Sequence, residues 1–165
     1  METYHLRRKE KGMSSQAEMD ETLASQKFMT IAMCRDGEPY LVSLNYSYEP
    51  AGRIFHFHCA AVGKKVDFLR ANPRVWGQVV DDQGYINGEC DHAYRSVMFS
   101  GRVEFVENIE EKRKALYEMV RHAEGAIDEQ RMAFVEENRL AKVAVGRIAV
   151  VEMTGKKGPI KRAQT

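Results

Sequence analysis

Two rhythms of apolar residues run along this chain, and the changes between them mark its elements. Phe28-Met29-Thr30-Ile31-Ala32-Met33-Cys34 reads as a strand, and Asp36-Gly37 within Arg35–Pro39 is a hairpin-turn signal. Tyr40 to Tyr48 alternates with period two. Tyr40, Val42, Leu44, Tyr46 and Tyr48 share one face, and Leu41, Ser43, Asn45 and Ser47 share the other. Pro50-Ala51-Gly52 turns the chain into a strand over 54–59, with Phe55, Phe57 and Cys59 opposite Ile54, His56 and His58. Further strands are predicted over 75–80, over 94–106 with Gly101 at a bulge or barrel corner, and over 143–153 with Gly146 inside. Residues 81–93 read as a polar loop, and Tyr4 to Gly12 as an extended charged segment.

The helical rhythm appears between these runs. Ser15-Gln16-Ala17-Glu18 has capping-box form and opens a helix over 16–25 carrying Met19 and Leu23 on one face. Val66 and Leu69 mark a short helix over 63–71, and Asn72-Pro73 stops it, because the residue before proline is pushed out of the helical region. Asn108-Ile109-Glu110-Glu111 opens a helix with Leu116, Met119 and Val120 on one face and Gly125 at its end. Asp128 to Leu140 is a second, less amphipathic helical stretch. About six strands joined early by hairpin turns, with helices that do not alternate regularly with them, predict a mainly β fold. The expected architecture is an antiparallel barrel of Greek-key type with peripheral helices. One domain over 1–165 is expected, with an N-terminal arm and helix (1–25), a helical insertion (107–140) and a polar, basic tail (154–165).

Composition narrows the function classes. The 165 residues suffice for one hydrophobic core, and 25 Lys and Arg against 24 Asp and Glu leave a net charge of +1. That balance argues against broad nucleic-acid binding but permits a local cationic cluster. Apolar runs are far shorter than a membrane span, and Met1 to His5 lacks the apolar core of a signal peptide. Cys34, Cys59 and Cys90 form no CxxC pair, so reduced thiols and a cytoplasmic location are expected.

Four groups of residues can carry chemistry. His56 and His58 share one side of a strand and can meet a metal together with His92, or line a pocket by hydrogen bonding; no third ligand has diagnostic spacing. Cys59-Ala60-Ala61-Val62-Gly63-Lys64-Lys65 passes from a strand through small residues to a helix start. Free amides, a positive dipole end and two ammonium groups there suit a phosphate. Ser43 and Asn45 interrupt the apolar strand and can meet a flat heteroaromatic ring, or simply face water. Arg95 and Ser96 can clamp an anion, or Arg95 can form a surface ion pair. No motif identifies a catalytic residue. His58 is the best available acid–base group, since an unperturbed imidazole titrates near neutrality.

In order along the chain, Leu6-Arg7-Arg8-Lys9, Asp36 to Tyr46, Ile54 to Ala60, Gly63 to Asp67, Asn72 to Val75, Tyr94 to Val97, Gly101-Arg102 and Met153 to Lys156 resemble the pyridoxamine 5′-phosphate oxidase-related flavin-binding proteins. Within that superfamily they are most similar to the 5-nitroimidazole antibiotic-resistance group. The resemblance implies a split β-barrel that forms a homodimer with FMN at the subunit interface. It implies that Ser43, Leu44, Asn45 and Tyr46 meet the isoalloxazine ring. His58, Cys59, Ala60, Gly63, Lys64 and Lys65 would hold the ribityl phosphate, with Arg95 and Ser96 approaching from the same or the partner subunit. The implied activity is FMN-dependent reduction of a small molecule of nitroimidazole or nitroaromatic type, the alternative being a flavin-binding or sensor module without turnover. No resident metal is expected.

Overall fold

The computed structural model describes residues 6–159. Asp36 and Gly37 both take positive φ, 51° and 82°, the two-residue turn geometry that follows the natural twist of paired strands. That turn joins Phe28–Arg35 (β1) to Glu38–Glu49 (β2), in register from Arg35↔Glu38 to Phe28↔Asn45. Ile54–Ala60 (β3), Arg74–Ile86 (β4), Asp91–Phe105 (β5) and Val143–Lys157 (β6) complete an antiparallel barrel closed in the order β1-β2-β3-β6-β5-β4. The register shifts at Ser100/Gly101, the position where the sequence suggests a bulge.

Four helices decorate this barrel: Gln16–Ser25 (α1), Lys64–Ala71 (α2), Ile109–Glu124 (α3) and Glu129–Asn138 (α4). Ser15 Oγ accepts from the Glu18 amide, and Asn108 accepts from the amides of Glu110 and Glu111, as the capping patterns predict. α1 packs against β4, β5 and β6, α2 against β1, and α3 across β2 and β3. Tyr46, 1% exposed, donates its hydroxyl to the Leu23 carbonyl at 2.6 Å and so pins the end of α1 to the barrel.

Three expectations need correction. Residues 81–93 are not a loop: β4 and β5 run on as a ribbon and turn at 87–90, where Gly88 and Cys90 take positive φ. A ribbon standing clear of the core is held by its backbone ladder, so its sequence carries no apolar alternation. Likewise β6 continues through Lys157, so 154–157 are strand rather than tail. Met13 donates its amide to the Gly155 carbonyl at 3.0 Å, laying the N-terminal arm on this strand. The arm is not extended throughout, since Lys9–Lys11 form a 3-10 turn. The expectations for 1–5 and 160–165 lie outside the described residues.

The barrel interior is aromatic. Phe55 and Phe99 stack with centroids 4.1 Å apart, and Phe57 is fully buried nearby. Two strand glycines make room for them: a Cβ on Gly77 would lie 2.2 Å from Phe99 Cζ, and one on Gly146 would lie 2.4 Å from Phe57 Cζ. A second apolar cluster, including Leu116, Met119, Val135 and Val145, sits beneath α3 and α4.

Gly146→Ala should therefore destabilise the fold by about 1–3 kcal/mol through overpacking, read as a lower denaturant midpoint. His56, His58 and His122 are each held below the ordinary value of 6.5, chiefly by burial. The unfolded chain then binds more protons than the native one once pH falls below that value. Unfolding free energy should drop as pH is lowered from about 7.5 to about 5.5, before carboxylates titrate; a flat profile there would contradict it.

Candidate functional site

Two seams of the barrel are short: β1 and β4 pair only from Thr30↔Gln78 to Ala32↔Trp76, and the β2–β3 seam opens beside His58. β2 and β3 pair only from Tyr46↔Phe57 to Glu49↔Ile54. Beyond Tyr46, β2 stays paired with β1, while His58, Cys59 and Ala60 pair with Val145, Ala144 and Val143 of β6. The two strands thus turn free edges toward each other, with Ser43-Leu44-Asn45 on one side and His58-Cys59-Ala60 on the other. The chain leaves β3 at Ala60 and passes through the turn around Gly63 to α2, which packs against β1.

Side-chain direction sorts the strand residues. Leu44 and Tyr46 are 7% and 1% exposed and belong to the aromatic core, leaving only their backbone to the cleft. Ser43 and Asn45 face outward. Ser43 Oγ lies 3.1 Å from Thr30 Oγ1, and Asn45 Nδ2 donates to the Lys27 carbonyl at 3.2 Å. Cys59 points into the core, and burial pushes its thiol pKa up, leaving it a poor nucleophile at neutral pH.

Gly63 takes a φ of 131°, a conformation open to glycine, and caps α2 with no side-chain hydrogen bond. The first amides of α2 consequently lack a capping partner, the arrangement that suits an anion. The Lys65 charge lowers the pKa of both His58 and Cys59, so its field reaches the end of β3. Lys64 is engaged elsewhere: Nζ lies 2.6 Å from Glu38 Oε1 and 4.9 Å from the Tyr40 ring centre.

His58 is the least satisfied polar group of the cleft. Its Nδ1 is buried with no hydrogen-bond partner, and burial, then Arg139 and Lys65, hold its pKa below the usual value. The neutral ring lines a cavity of about 230 Å³ together with Asn45 of β2 and Met119, Arg131, Phe134 and Arg139 of the helices. Sequence reading missed these helical residues. The weak amphipathicity of 128–140 was the available signal, since a helix that buries little of itself is free to line something else.

The histidines do not converge on a metal. His56 opens onto a separate cavity of about 580 Å³ on the other side of α3, and His92 Nε2 lies 2.6 Å from Asp82 Oδ1 on the β4–β5 ribbon. Among the described residues, no three His, Cys, Asp or Glu side chains are grouped to hold a metal ion. Arg95 and Ser96 also stand apart from the cleft within one chain. Both lie on β5, across β6 from β3; Arg95 pairs with Glu21 at 3.3 Å, and Ser96 is 7% exposed. Among the described residues, no helix is long and apolar enough to cross a membrane.

Comparison with known proteins matches this architecture. An uncharacterized protein of Rhizobium meliloti (strain 1021) is 28% identical over 88 residues, which are 53% of this chain and 52% of that protein. The chain thus spans about half the length of that curated relative. A solved structure from Bacteroides thetaiotaomicron, assigned to 5-nitroimidazole antibiotic resistance, is 25% identical with a TM-score of 0.73, covering 88% of this chain and 85% of that one. A FAD-binding protein from Mesorhizobium loti is 26% identical with a TM-score of 0.64, covering 88% of this chain and 96% of that one. A conserved hypothetical protein from Mycobacterium tuberculosis shares the fold, with a TM-score of 0.77 at 21% identity over 94% of this chain and 95% of that one. The sequence model described as pyridoxamine 5′-phosphate oxidase matches residues 15–157, from the α1 cap to the last residue of β6. The chain belongs to the pyridoxamine 5′-phosphate oxidase family.

Proposed function

We propose that this protein binds FMN in the gap between β2 and β3 and serves as an oxidoreductase for a small molecule of nitroaromatic type. The observation that carries the reading is the buried, unpartnered Nδ1 of His58, beside the Lys65 charge and near the uncapped start of α2. A buried polar atom left without a partner costs about 1–3 kcal/mol, and with the proton on Nδ1 a phosphate oxygen would relieve it. Gly63, Ala60 and the α2 amides would bind the phosphate, and the free backbone edge at 43–45, with Asn45, would orient the ring. Bound flavin would supply reversible electron or hydride acceptance. His58, held neutral, would donate a hydrogen bond rather than serve as a ready acid. The relative assigned to 5-nitroimidazole resistance supports the nitroaromatic class, and the FAD-binding relative supports a flavin. Three unpaired thiols, Cys34, Cys59 and Cys90, support a reducing, cytoplasmic setting.

The site reads as incomplete in one chain. Its cavity of about 230 Å³ falls below the ~300–1,000 Å³ of most small-molecule sites. An apolar strip crosses the outer face of the barrel beside it: Leu41 and Trp76 both sit opposite Ala32 in register, with Val151 beyond. Leu41, Trp76 and Val151 are 63%, 42% and 66% exposed, and a second copy of the chain would cover them. In that homodimer, Arg95 and Ser96 would serve the cleft of the other copy.

Purified protein titrated with FMN should show saturable quenching of flavin fluorescence and a perturbed visible absorption spectrum; failure to take up FMN would sink the assignment. Lys65→Ala should weaken FMN binding by about 1.5–3 kcal/mol, and Lys64→Ala by less, because Glu38 already holds that ammonium. Turnover separates an enzyme from a flavin carrier, and the reduced holoprotein should be reoxidised by added nitroaromatics. Sedimentation should give twice the mass of one chain, with Trp76→Glu shifting the protein toward monomer and lowering FMN affinity. A monomer at every concentration would contradict the dimer.

A further inference from the structure

The geometry points to Arg139, at the C-terminal end of α4, as a phosphate-binding residue that makes the helical segment select phosphorylated over unphosphorylated flavin. This rests on the FMN reading above and deepens it.

The position of Arg139 follows from the strand register. Its carbonyl accepts the amides of Lys142 and Val143, at 2.9 and 3.1 Å, in the turn that leads into β6. Val143 is the residue paired with Ala60, the last residue of β3. Arg139 therefore stands one turn of chain from the strand end where the chain leaves for Gly63 and α2. It lines the same cavity as Asn45 and His58.

Its charge is uncompensated. Four other arginines of this region, Arg113, Arg121, Arg131 and Arg147, each have a carboxylate partner within 4 Å. Among the described residues, Arg139 has none; its guanidinium lies 5.7 Å from the Phe134 ring centre, a contact that orients the cation without neutralising it. Lys65 and Arg139 both raise the positive potential at His58, whose buried Nδ1 has no acceptor. Arg139 lines the cavity, Lys65 acts on the same His58 from outside it, and these like charges are relieved when an anion joins them. A phosphate monoester meets each of these needs, with an oxygen for His58 and a charge-assisted, forked contact for the guanidinium. Lys64, spent on Glu38 at 2.6 Å, cannot supply that second cation without breaking its own pair.

The test is a fluorescence titration of FMN and of riboflavin, which lacks the phosphate, into the full chain and its R139Q and K65A variants, with thermal midpoints checked. R139Q should lose about ten-fold or more in FMN affinity, as expected for a charge-assisted hydrogen bond, while riboflavin affinity stays unchanged. FMN binding equal to wild type in R139Q, alongside a loss in K65A, would overturn the Arg139 assignment and leave the flavin reading intact. An equal loss of both flavins in R139Q would also overturn it, since the residue would then act only through the fold. Wild-type protein that binds neither flavin would remove the reading on which the inference stands.

Discussion

Strand backbones must satisfy their amides and carbonyls, and the interrupted β2–β3 ladder is a place where this barrel leaves that requirement open beside a cavity. The β1–β2, β3–β6, β4–β5 and β5–β6 ladders run along most of their strands, while β1 meets β4 over three residues only. From Ser43 to Asn45 and from His58 to Ala60, each strand keeps its other partner and loses this one. A row of outward-facing donors and acceptors at fixed spacing results, on elements too well held elsewhere to move. That combination of rigidity on one edge and vacancy on the other is what a planar ligand with polar edges requires.

The interior explains why the gap does not close. Phe55, Phe57 and Phe99 fill the barrel so fully that Gly77 and Gly146 have no space for a Cβ. Drawing β2 toward β3 would press Leu44 and Tyr46 further into this packed interior and would strain the Tyr46 hydroxyl bond to Leu23. α3 lies across the two strands and divides their outer surface, so that His56 and His58, neighbours on one face, open onto different cavities. The helical segment thus decides which outward-facing residues of β3 belong to the cleft.

Much of this was legible from residue patterns because period-two alternation has one physical cause, the pleat. The face carrying Tyr40, Leu44 and Tyr46 is the inner one, and Ser43 and Asn45 stand outside, as the alternation predicts. Treating Ser43 to Tyr46 as one ligand-contacting block blurred that distinction, since motif resemblance marks a segment but not a face. The β4–β5 ribbon was illegible for the opposite reason: polar residues on a ladder clear of the core carry no periodic signature. Contacts such as Lys64 with Glu38, 26 residues apart, and the approach of α4 to His58 depend on tertiary placement, which local spacing does not encode.

The charge pattern shows how a near-neutral chain can hold a strongly directed local field. On α3 and α4 the cations are largely matched: Arg113 with Glu136, Arg121 with Glu118, Arg131 with Glu124. These pairs are mostly exposed, contribute little stability and cancel at a distance. The Arg139 charge escapes this pairing and, though exposed to solvent, lines the cavity that holds the half-buried His58. The net charge of +1 therefore averages over the very feature that distinguishes the cleft. What would matter for the proposed phosphate is the number of uncancelled charges near one cavity, and the fold brings Arg139 to it by joining the end of α4 to the strand that pairs with β3.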